Sequence, residues 1–351
     1  MSMLLGVTAV ILQGFPAVAA PQSDAAPGAE VAREVAAMGT RARLRVRAVD
    51  RRAALSASEA AVLAIAAAEQ RLSTWRADSE LAALNRATVG VGHVLSPELA
   101  RELGIVQVWQ AATAGAFDPA IGALIVAYDL RGDGCWPTPD ALQRATANSG
   151  WRQLELSDRQ LVRHADVRIE EGAFGKGAAL DLAGAAALAA GARQLLFDFG
   201  GQLLRRGEGS EWVALAHPTD REQPVCELLL RTGSVSTSGN SEHGRLVDGR
   251  FLPHLFDPRT GAPAADFGSV AVVADSALDA DCLSTGLFVL GPDRALAFAA
   301  TRAELAVVVL EAAAGGRVQA RASERLRGRL RAVGDTVVDF VGGVPAERGQ
   351  R

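Results

Sequence analysis

The sequence predicts an α+β fold, in which mixed or antiparallel sheets pack with helices. Segments with strand alternation and segments with helical spacing are mixed along the chain, without a strict strand–helix–strand order. A strict order would indicate a doubly wound parallel sheet, so the mixture favours the α+β class. The chain of 351 residues, 49% of them hydrophobic, can bury a large core as one domain or two subdomains.

The elements of the first half are identified by their periodicity and by the residues that begin them. Ser or Asp before a helix accepts hydrogen bonds from its first N–H groups, and proline suits the first turn. The predicted elements are a strand at 41–49, a helix at 58–72 capped by Ser56 or Ser58, a helix at 78–86 capped by Asp78 or Ser79, a helix at 97–113 capped by Ser96, a helix that starts at Asp118-Pro119, a short helix from Asp140 and short antiparallel strands within 153–169.

The second half combines a long Ala-rich helix with short apolar strands. Apolar residues at alternate positions indicate a strand, and apolar spacing of three and four indicates a helix. The predicted elements are a helix at 175–191, a strand at 195–199 that ends in Gly200-Gly201, strands at 212–216, 225–230, 234–237 and 269–274, a helix at 278–290 and a strand at 305–310.

The N-terminus has the pattern of a secretory signal peptide. Met3 to Phe15 is mostly apolar, and Ala17-Val18-Ala19-Ala20-Pro21 resembles a cleavage site, although the usual positive charges are missing. We expect residues 1–28 to be a signal and linker, and the protein to be periplasmic or exported. The alternative is an apolar start to a cytoplasmic protein. Because no cysteine follows the cleavage site, a lipid anchor is not expected.

The charge of the chain excludes a general affinity for nucleic acid. The formal net charge is −4 at pH 7, whereas nucleic-acid-binding domains carry a basic surface. The one basic run, at 321–331, is interpreted as a solvated helix face within a C-terminal extension of residues 321–351. Three widely separated cysteines have no metal-ligand spacing and predict no disulfide framework: Cys135, Cys226 and Cys282.

Lys176 is the only lysine among the 36 basic side chains, and it lies between two glycines. Lysine is a compact point charge and arginine a planar fork, so a site that keeps lysine in an Arg-rich chain indicates a need for the smaller group. Chance is the alternative. The segment is not a Walker loop, because Glu170 stands in place of the required glycine and Gly177 in place of Ser or Thr. At a helix start, Lys176 can still contact a phosphate.

Asp281 and Thr285 lie four residues apart on a predicted helix, so both oxygens project from one face. Hard oxygen donors suit Mg²⁺, which binds few protein groups and the phosphates of its substrate. The alternative is a carboxylate near a helix start that serves only the helix dipole and the backbone.

Four further segments carry polar or aromatic side chains with two interpretations each. His254 is a proton donor or acceptor, or an ordinary loop histidine. The hydroxyls of Ser236-Thr237-Ser238-Gly239 suit an oxyanion or phosphate, but no nucleophile elbow supports a serine hydrolase. Asp118 is a helix cap or a site residue. Trp75 is a core residue or a surface for stacking on a planar ring.

Taken together and in this order, the segments resemble the ApbE family, the FAD:protein FMN transferases. The resemblance covers the chain from about Met38 to Gly291. The matching motifs are Met38-Gly39-Thr40, Leu72-Ser73-Thr74-Trp75 with Asp78-Ser79-Glu80-Leu81 and Leu84-Asn85, Gly115-Ala116-Phe117-Asp118-Pro119, Gly175-Lys176-Gly177 with Asp181, Phe199-Gly200-Gly201, Ser236-Thr237-Ser238-Gly239, His254 through Gly261 with Pro263, and Ala280-Asp281 with Ser284-Thr285.

The resemblance implies a domain at 29–320 with a flavin-binding groove between two subdomains. It implies an enzyme that splits FAD with Mg²⁺, attaches FMN to a Thr or Ser of a target protein as a phosphoester and releases AMP. The targets would be flavin-carrying subunits of membrane redox complexes on the exported side, which makes peripheral membrane association a further expectation.

The resemblance also implies the site residues. It assigns Mg²⁺ to Asp281, Thr285 and the main-chain carbonyl of Ala173. It assigns His254 as base or phosphate contact and Lys176 as a charge on the pyrophosphate. The implied FAD contacts are Met38, Trp75, Ala116, Phe117, Asp118, Glu170, Lys176, Leu255 and Phe256.

Three positions depart from the family pattern. Glu170 replaces the usual Asp, which puts the length of the cofactor contact at this position in doubt. Trp75 replaces a common Tyr, and Gly175 replaces a common Ala. Members of the family also differ between FMN transfer and hydrolysis of FAD to FMN and AMP, and a flavin carrier without turnover is a further alternative. An unrelated solute-binding protein is disfavoured by the order of the motifs.

Overall fold

The computed structural model describes residues 28–240, 244–312 and 316–342, and its architecture confirms the α+β class. The helices are α1 (Arg51–Leu72), α2 (Glu80–Arg86), α3 (Pro97–Ala112), α4 (Gly122–Ala127), α5 (Pro139–Ala147), α6 (Gly175–Ala189), α7 (Ala277–Leu290) and α8 (Pro292–Ala300). The strands are β1 (Ala29–Ala37), β2 (Thr40–Ala48), β3 (His93–Val94), β4 (Leu154–Ser157), β5 (Gln160–Arg163), β6 (Ala192–Phe199), β7 (Gln202–Gly207), β8 (Glu211–His217), β9 (Asp220–Leu230), β10 (Gly233–Gly239), β11 (Arg245–Val247), β12 (Arg250–Leu252), β13 (Gly268–Ala274), β14 (Ala306–Ala312), β15 (Val318–Ser323), β16 (Leu330–Ala332) and β17 (Val337–Val341).

The main sheet has nine strands in the order β1-β2-β6-β7-β10-β13-β14-β15-β17. Its neighbouring strands are antiparallel, except for the parallel pair β15–β17. Alternate side chains of β13 point to opposite faces of the main sheet. Val270 and Val272 pack with α7 and α8, whereas Ala271 and Val273 pack with β8 and β9. A small sheet, β16-β9-β8, therefore covers the face opposite the helices.

The helical face of the sheet is covered by α1, α6, α7 and α8. The Ala-rich faces of α1 and α6 pack on β2 and β6, with Leu44, Phe197 and Phe199 fully buried. Small side chains let two helices approach each other and the sheet closely, which explains why this layer is built almost wholly from alanine.

A small lobe lies between β2 and β6 in the sequence. It contains α2 and α3 and the three-stranded sheet β3-β5-β4. Its core joins the helical layer, because Phe174, Leu278 and Cys282 belong to the same buried cluster as Leu99 and Phe117. The lobe and α7 thus form one packed unit around the candidate site.

Several sequence predictions for these elements are confirmed. Ser79 caps α2 by accepting a hydrogen bond from the N–H of Ala82, and Ser96 caps α3 in the same way with Leu99. The helix predicted at 58–72 begins earlier, at Arg51. The predicted caps, Ser56 and Ser58, are wrong, because the Asp50 carboxylate accepts from the N–H of Ala53 at 2.8 Å and starts the helix about two turns sooner.

Two further expectations need correction. The helix expected from Asp118-Pro119 begins instead at Gly122, because the Asp118 side chain is used to hold backbone N–H groups. The solvated helix face expected at 321–331 is wrong: the segment completes β15 and forms β16, and Leu330 pairs with Leu228 of β9. The expected domain boundary between 320 and 321 falls inside β15.

The expected signal and linker lie, apart from Gly28, outside the described residues. The three cysteines are free, with Cys135 exposed and the other two buried. Within the described ranges, no helix has the length and apolarity of a membrane span.

Candidate active site

Helices α6 and α7 cross in contact at Gly177. A Cβ atom on Gly177 would overlap the carbonyl oxygen of Ala277 and lie 2.7 Å from the Cα of Leu278. Only a residue without a side chain permits this approach. We call this contact the α6–α7 crossing, and it explains the second glycine of Gly175-Lys176-Gly177 in structural terms.

Asp281 joins the two helices at this crossing. Its side chain is only 4% exposed. One oxygen accepts a hydrogen bond from the N–H of Gly177 at 2.9 Å, and the other lies 3.6 Å from Nζ of Lys176. Lys176 also donates to the carbonyl of Gly172 at 3.4 Å. The structure therefore brings two sequence-predicted residues, one from each helix, into one ion pair at the edge of the core.

Asp181 fixes the start of α7 from the side of α6. Its carboxylate accepts from the N–H groups of Ala277 and Leu278 at 2.9 and 3.0 Å and from the hydroxyl of Ser276 at 2.7 Å. A carboxylate at a helix N-terminus satisfies free donors and the helix dipole. The two helices are thus locked in register, which sets the position of Asp281.

A chain of hydroxyls ties α7 to β10. Ser284 donates to Ser236 at 3.1 Å and accepts from Ser238 at 2.9 Å, and it also contacts the carbonyl of Asp281. Thr285, the next residue, is half-buried one helical turn after Asp281. The Ser236–Gly239 segment, predicted as a phosphate contact, therefore meets the helix that carries both predicted metal ligands.

Asn240 connects this region to the His254 segment. Its buried side chain accepts from the N–H of Leu255 at 3.2 Å and donates to the carbonyl of Ala264 at 3.3 Å. His254 and Leu255 are half-buried at the end of β10, whereas the ring of Phe256 is buried 4.4 Å from the ring of Tyr128. A ligand would meet Phe256 through its backbone rather than its ring.

The Glu171–Ala173 turn places the predicted carbonyl ligand directly before α6. Ala173 is half-buried, and Met38 lies beside the same turn, since a Cβ on Gly175 would lie 2.9 Å from the Met38 methyl. The backbone N–H of Met38 donates to Glu69 at 2.8 Å. A groove of about 520 Å³ opens next to it. Met38 and Ala173 are therefore neighbours across one turn.

A group of five residues, which we call the Trp75 cluster, forms the rim of this region: Thr74, Trp75, Arg131, Glu170 and Glu171. The guanidinium of Arg131 lies 4.6 Å from the Trp75 ring centre and 2.5 Å from Glu170. The Thr74 hydroxyl contacts both carboxylates. Burial raises the pKa of Glu170, and Arg131 opposes that rise. Trp75 is 71% exposed, so its ring is available for stacking.

Ala116, Phe117 and Asp118 are all buried. The Asp118 carboxylate accepts from the N–H groups of Ala120 and Trp151 at 2.9 and 2.7 Å, and burial raises its pKa. Phe117 packs on α7, where a Cβ on Gly286 would lie 2.6 Å from its own Cβ. The Ala116–Asp118 segment thus forms a buried wall that reaches α7 at Gly286, the residue after Thr285, and Asp118 holds two loops together.

The donor set at the crossing fits a small hard cation. Within residues 28–240, 244–312 and 316–342 no group of three His, Cys, Asp or Glu side chains is placed to hold a metal. A cation at Asp281 would therefore depend on hydroxyl, carbonyl and substrate oxygens, which is how Mg²⁺ is commonly bound. The Thr285 hydroxyl and the Ala173 carbonyl are donors of that kind.

Two residues of the region were missed by the sequence reasoning. Arg131 and Asn240 lie in loops without a motif, and their partners are distant in sequence. No sequence signal distinguishes Arg131 from the other arginines. Asn240 directly follows the Ser236–Gly239 motif, and this adjacency is the only sign that could have drawn attention to it.

Comparison with known proteins identifies the family. The model of the ApbE family matches residues 38–309. A relative from Klebsiella pneumoniae (strain 342), named FAD:protein FMN transferase, is 33% identical over 307 residues, which are 83% of this chain and 87% of the relative. A relative of the same name from Salmonella typhimurium is 31% identical, and the match covers 79% of this chain and 83% of the relative.

Solved structures share the fold. The flavinyl transferase ApbE of Pseudomonas stutzeri superimposes with a TM-score of 0.75 at 21% identity, over 88% of this chain and 98% of that one. The ApbE protein of Thermotoga maritima gives 0.76 at 23% identity, over 86% of this chain and 100% of the other. The chain therefore belongs to the ApbE family, and it is a transferase.

Proposed function

We propose that this protein transfers FMN from FAD to a Thr or Ser hydroxyl of an acceptor flavoprotein, with Mg²⁺, and releases AMP. The relatives named FAD:protein FMN transferase support the reaction. The observation that carries the proposed mechanism is the meeting of Lys176 and Asp281 at the α6–α7 crossing. In this pair an ammonium group and a carboxylate from adjacent helices meet at one point, which supports the proposed roles of both.

The reaction forms one phosphoester and breaks one pyrophosphate bond. The acceptor oxygen attacks the phosphorus on the FMN side, the bond to the AMP phosphate breaks, and the acceptor proton is passed to a base. Phosphoryl transfer depends chiefly on positioning and charge neutralisation. Mg²⁺, held by Asp281, Thr285 and the Ala173 carbonyl, would neutralise the pyrophosphate when bound.

The other roles fall to side chains around the crossing. Lys176 would place its ammonium on a pyrophosphate oxygen, since its present partners, Asp281 and the carbonyl of Gly172, are long contacts of 3.6 and 3.4 Å. His254 would accept the proton of the incoming hydroxyl, with its segment positioned by Asn240. Water is the competing nucleophile, and its attack would give FMN and AMP.

Recognition of the dinucleotide would lie at the rim. The exposed ring of Trp75 offers a stacking surface, and Glu170 beside it offers a carboxylate that burial and Arg131 hold in a fixed place. Met38, Leu255, Phe256 and the buried Ala116–Asp118 wall would contribute mostly backbone and apolar contacts. We further propose that the protein acts on the exported side of a membrane, on flavin-carrying subunits of redox complexes.

One incubation tests the proposal. The protein is mixed with FAD, Mg²⁺ and an acceptor domain, and flavin fluorescence is measured on the denatured acceptor while AMP is measured in solution. Asp281→Asn keeps the size of the side chain and removes its charge, so labelling should fall at least about a hundredfold. A chelator should have the same effect on the unsubstituted protein.

Asp279→Asn is the matched control. Asp279 lies on the same helix but bonds to Trp109 at 2.6 Å, so labelling should remain close to that of the unsubstituted protein. Labelling that persists in Asp281→Asn would overturn the metal assignment. Release of FMN and AMP without labelled acceptor would favour the hydrolase, and FAD binding without either product would favour a carrier.

A further inference from the structure

All polar contacts that the structure shows for the Arg131 guanidinium are with other residues of the Trp75 cluster. Its Nη2 donates to the Thr74 hydroxyl at 2.7 Å and to Glu170 at 2.5 Å, and Nη1 donates to the Thr74 carbonyl at 3.2 Å. The same planar group lies over the ring of Trp75. One side chain from the loop after α4 thus ties two segments of the rim together.

The charges of the cluster explain why a cation is needed there. The Thr74 hydroxyl lies 2.5 Å from an oxygen of Glu171 and 3.2 Å from an oxygen of Glu170. A hydroxyl has one proton and can donate to only one of the two carboxylates. Arg131 supplies the second donor, and it also offsets the repulsion between the two negative groups.

The geometry also determines which face of Trp75 is open. Arg131 covers one face of the ring, yet the residue is 71% exposed. Displacing Arg131 would break its contacts with Thr74 and Glu170 and leave two carboxylates without their cation. A planar ligand therefore meets less resistance on the opposite face, where it would extend a stack of guanidinium, indole and ligand ring.

We propose that Arg131 is a positioning residue for FAD, which holds Trp75 and Glu170 in one arrangement so that a planar ring of the substrate stacks on the free face of Trp75. This inference rests on the proposed function, because it takes Trp75 and Glu170 as substrate contacts. Arg131 lies on the rim and makes no contact with Lys176 or Asp281 in the structure, so its effect should be on affinity and not on the rate of transfer.

The test separates affinity from rate. The dissociation constant for FAD is measured by flavin fluorescence in the presence of a chelator, and kcat is measured at saturating FAD with Mg²⁺ and acceptor. Arg131→Ala should weaken FAD binding about tenfold and leave kcat within twofold of the unsubstituted value. Arg131→Lys keeps the charge without the planar fork, so it should restore only part of the affinity.

Arg331→Ala is the matched control. Arg331 lies 4.1 Å from the ring centre of Trp212 and 2.6 Å from Glu227, so it also combines a ring contact with an ion pair, but on the opposite face of the main sheet. It should leave FAD affinity unchanged. A double-mutant cycle completes the test: Arg131→Ala should have a smaller effect in Trp75→Ala than in the unsubstituted protein, since part of its effect on affinity acts through that ring.

Three outcomes overturn the inference while leaving the proposed function intact. They are an unchanged dissociation constant in Arg131→Ala, a tighter one, which would show that Arg131 occupies the stacking face, and an effect that is fully additive with Trp75→Ala. Failure of the unsubstituted protein to bind FAD or to label the acceptor is a different result, and it would remove the proposed function itself.

Discussion

At the α6–α7 crossing, backbone touches backbone, whereas in the Trp75 cluster, side chains hold other side chains. Gly177 leaves no space for a Cβ, and the Asp281 carboxylate is bonded directly to its N–H. The cluster instead depends on the long side chain of Arg131, which is 35% exposed. A backbone contact in a packed core has few alternative arrangements, but exposed ion pairs have many.

This contrast matches the demands of the two tasks that we propose, phosphoryl transfer at the crossing and substrate recognition in the cluster. Charge neutralisation during phosphoryl transfer requires fixed distances, which a crossing of two helices provides. Recognition of a large dinucleotide requires a surface that the substrate can enter and leave. The comparison predicts that substitutions at the crossing act on stability and rate, while substitutions in the cluster act on affinity and on pH dependence.

The largest expected effect is that of Gly177→Ala. The added Cβ would overlap the carbonyl of Ala277, and both atoms belong to packed helices that cannot move apart freely. We expect a loss of about 3 kcal/mol in the free energy of unfolding, measured by urea denaturation. Gly104→Ala is the control, because a Cβ there meets nothing within 4 Å in α3. An equal stability of Gly177→Ala and the unsubstituted protein would refute the close crossing.

Lys176→Arg should be next in size. Arginine keeps the charge, but its planar fork does not fit the position of a point charge beside Asp281 and the carbonyl of Gly172. We expect kcat to fall about tenfold, which corresponds to about 1.4 kcal/mol in the activation free energy. Lys176→Gln, which removes the charge, should be slower still. Full activity of the arginine variant would mean that charge alone matters.

Ser284→Ala should cost about 1 kcal/mol of stability, because it removes the hydroxyl that links α7 to Ser236 and Ser238. It should also raise the Mg²⁺ concentration needed for half-maximal activity, since Ser284 precedes Thr285. Ser58→Ala is a matched control: Ser58 is buried and donates to a carbonyl three residues earlier in its own helix. A shift in Mg²⁺ dependence in Ser58→Ala as well would show that the effect is not local.

The smallest effect is a pH dependence at Glu170. Burial raises its pKa above the ordinary value of 4.5, although Arg131 opposes the rise. The folded state then binds the proton more tightly than the unfolded state, so the stability that this group contributes falls as pH rises from 4.5 through the folded-state pKa. Glu170→Gln does not titrate.

The unfolding free energy of Glu170→Gln, relative to the unsubstituted protein, should therefore increase with pH in that window, by about 1 kcal/mol or less. Urea unfolding at a series of pH values measures this difference. A difference that is independent of pH, or that decreases with rising pH, would contradict the assignment of burial as the dominant cause.

The sequence predicted the parts of the site that depend on local patterns. Asp281 and Thr285 share a helical face because of their spacing, and Lys176 stands at the start of the Ala-rich helix that the sequence predicts from Gly175. These relations hold within one element, so periodicity is sufficient to find them. The ordered motifs supplied the family, which the match to residues 38–309 confirms.

The sequence could not predict what depends on contacts between distant segments. Arg131 meets Thr74 and Glu170 only because the small lobe folds back on itself. The sequence leaves Asp118 open as a helix cap or a site residue, and it does not predict that the Asp118 carboxylate reaches the N–H of Trp151. The basic run at 321–331 predicts a helix face, but the pairing of β16 with β9 decides its conformation. In each case tertiary contacts outweigh the local preference.

The pairing of β2 with β6 has a consequence for folding during synthesis on the ribosome. All residues of the Trp75 cluster are synthesised after β2 but before β6, which is hydrogen-bonded to β2 in the main sheet. Closing so long a loop is slow, even though its entropic cost grows only slowly with length. The apolar core of the lobe is completed later still, because Leu278 and Cys282 of α7 belong to it and follow β6 in the chain. The lobe that carries the Trp75 cluster is consequently not a module that a gene could donate to another protein by itself.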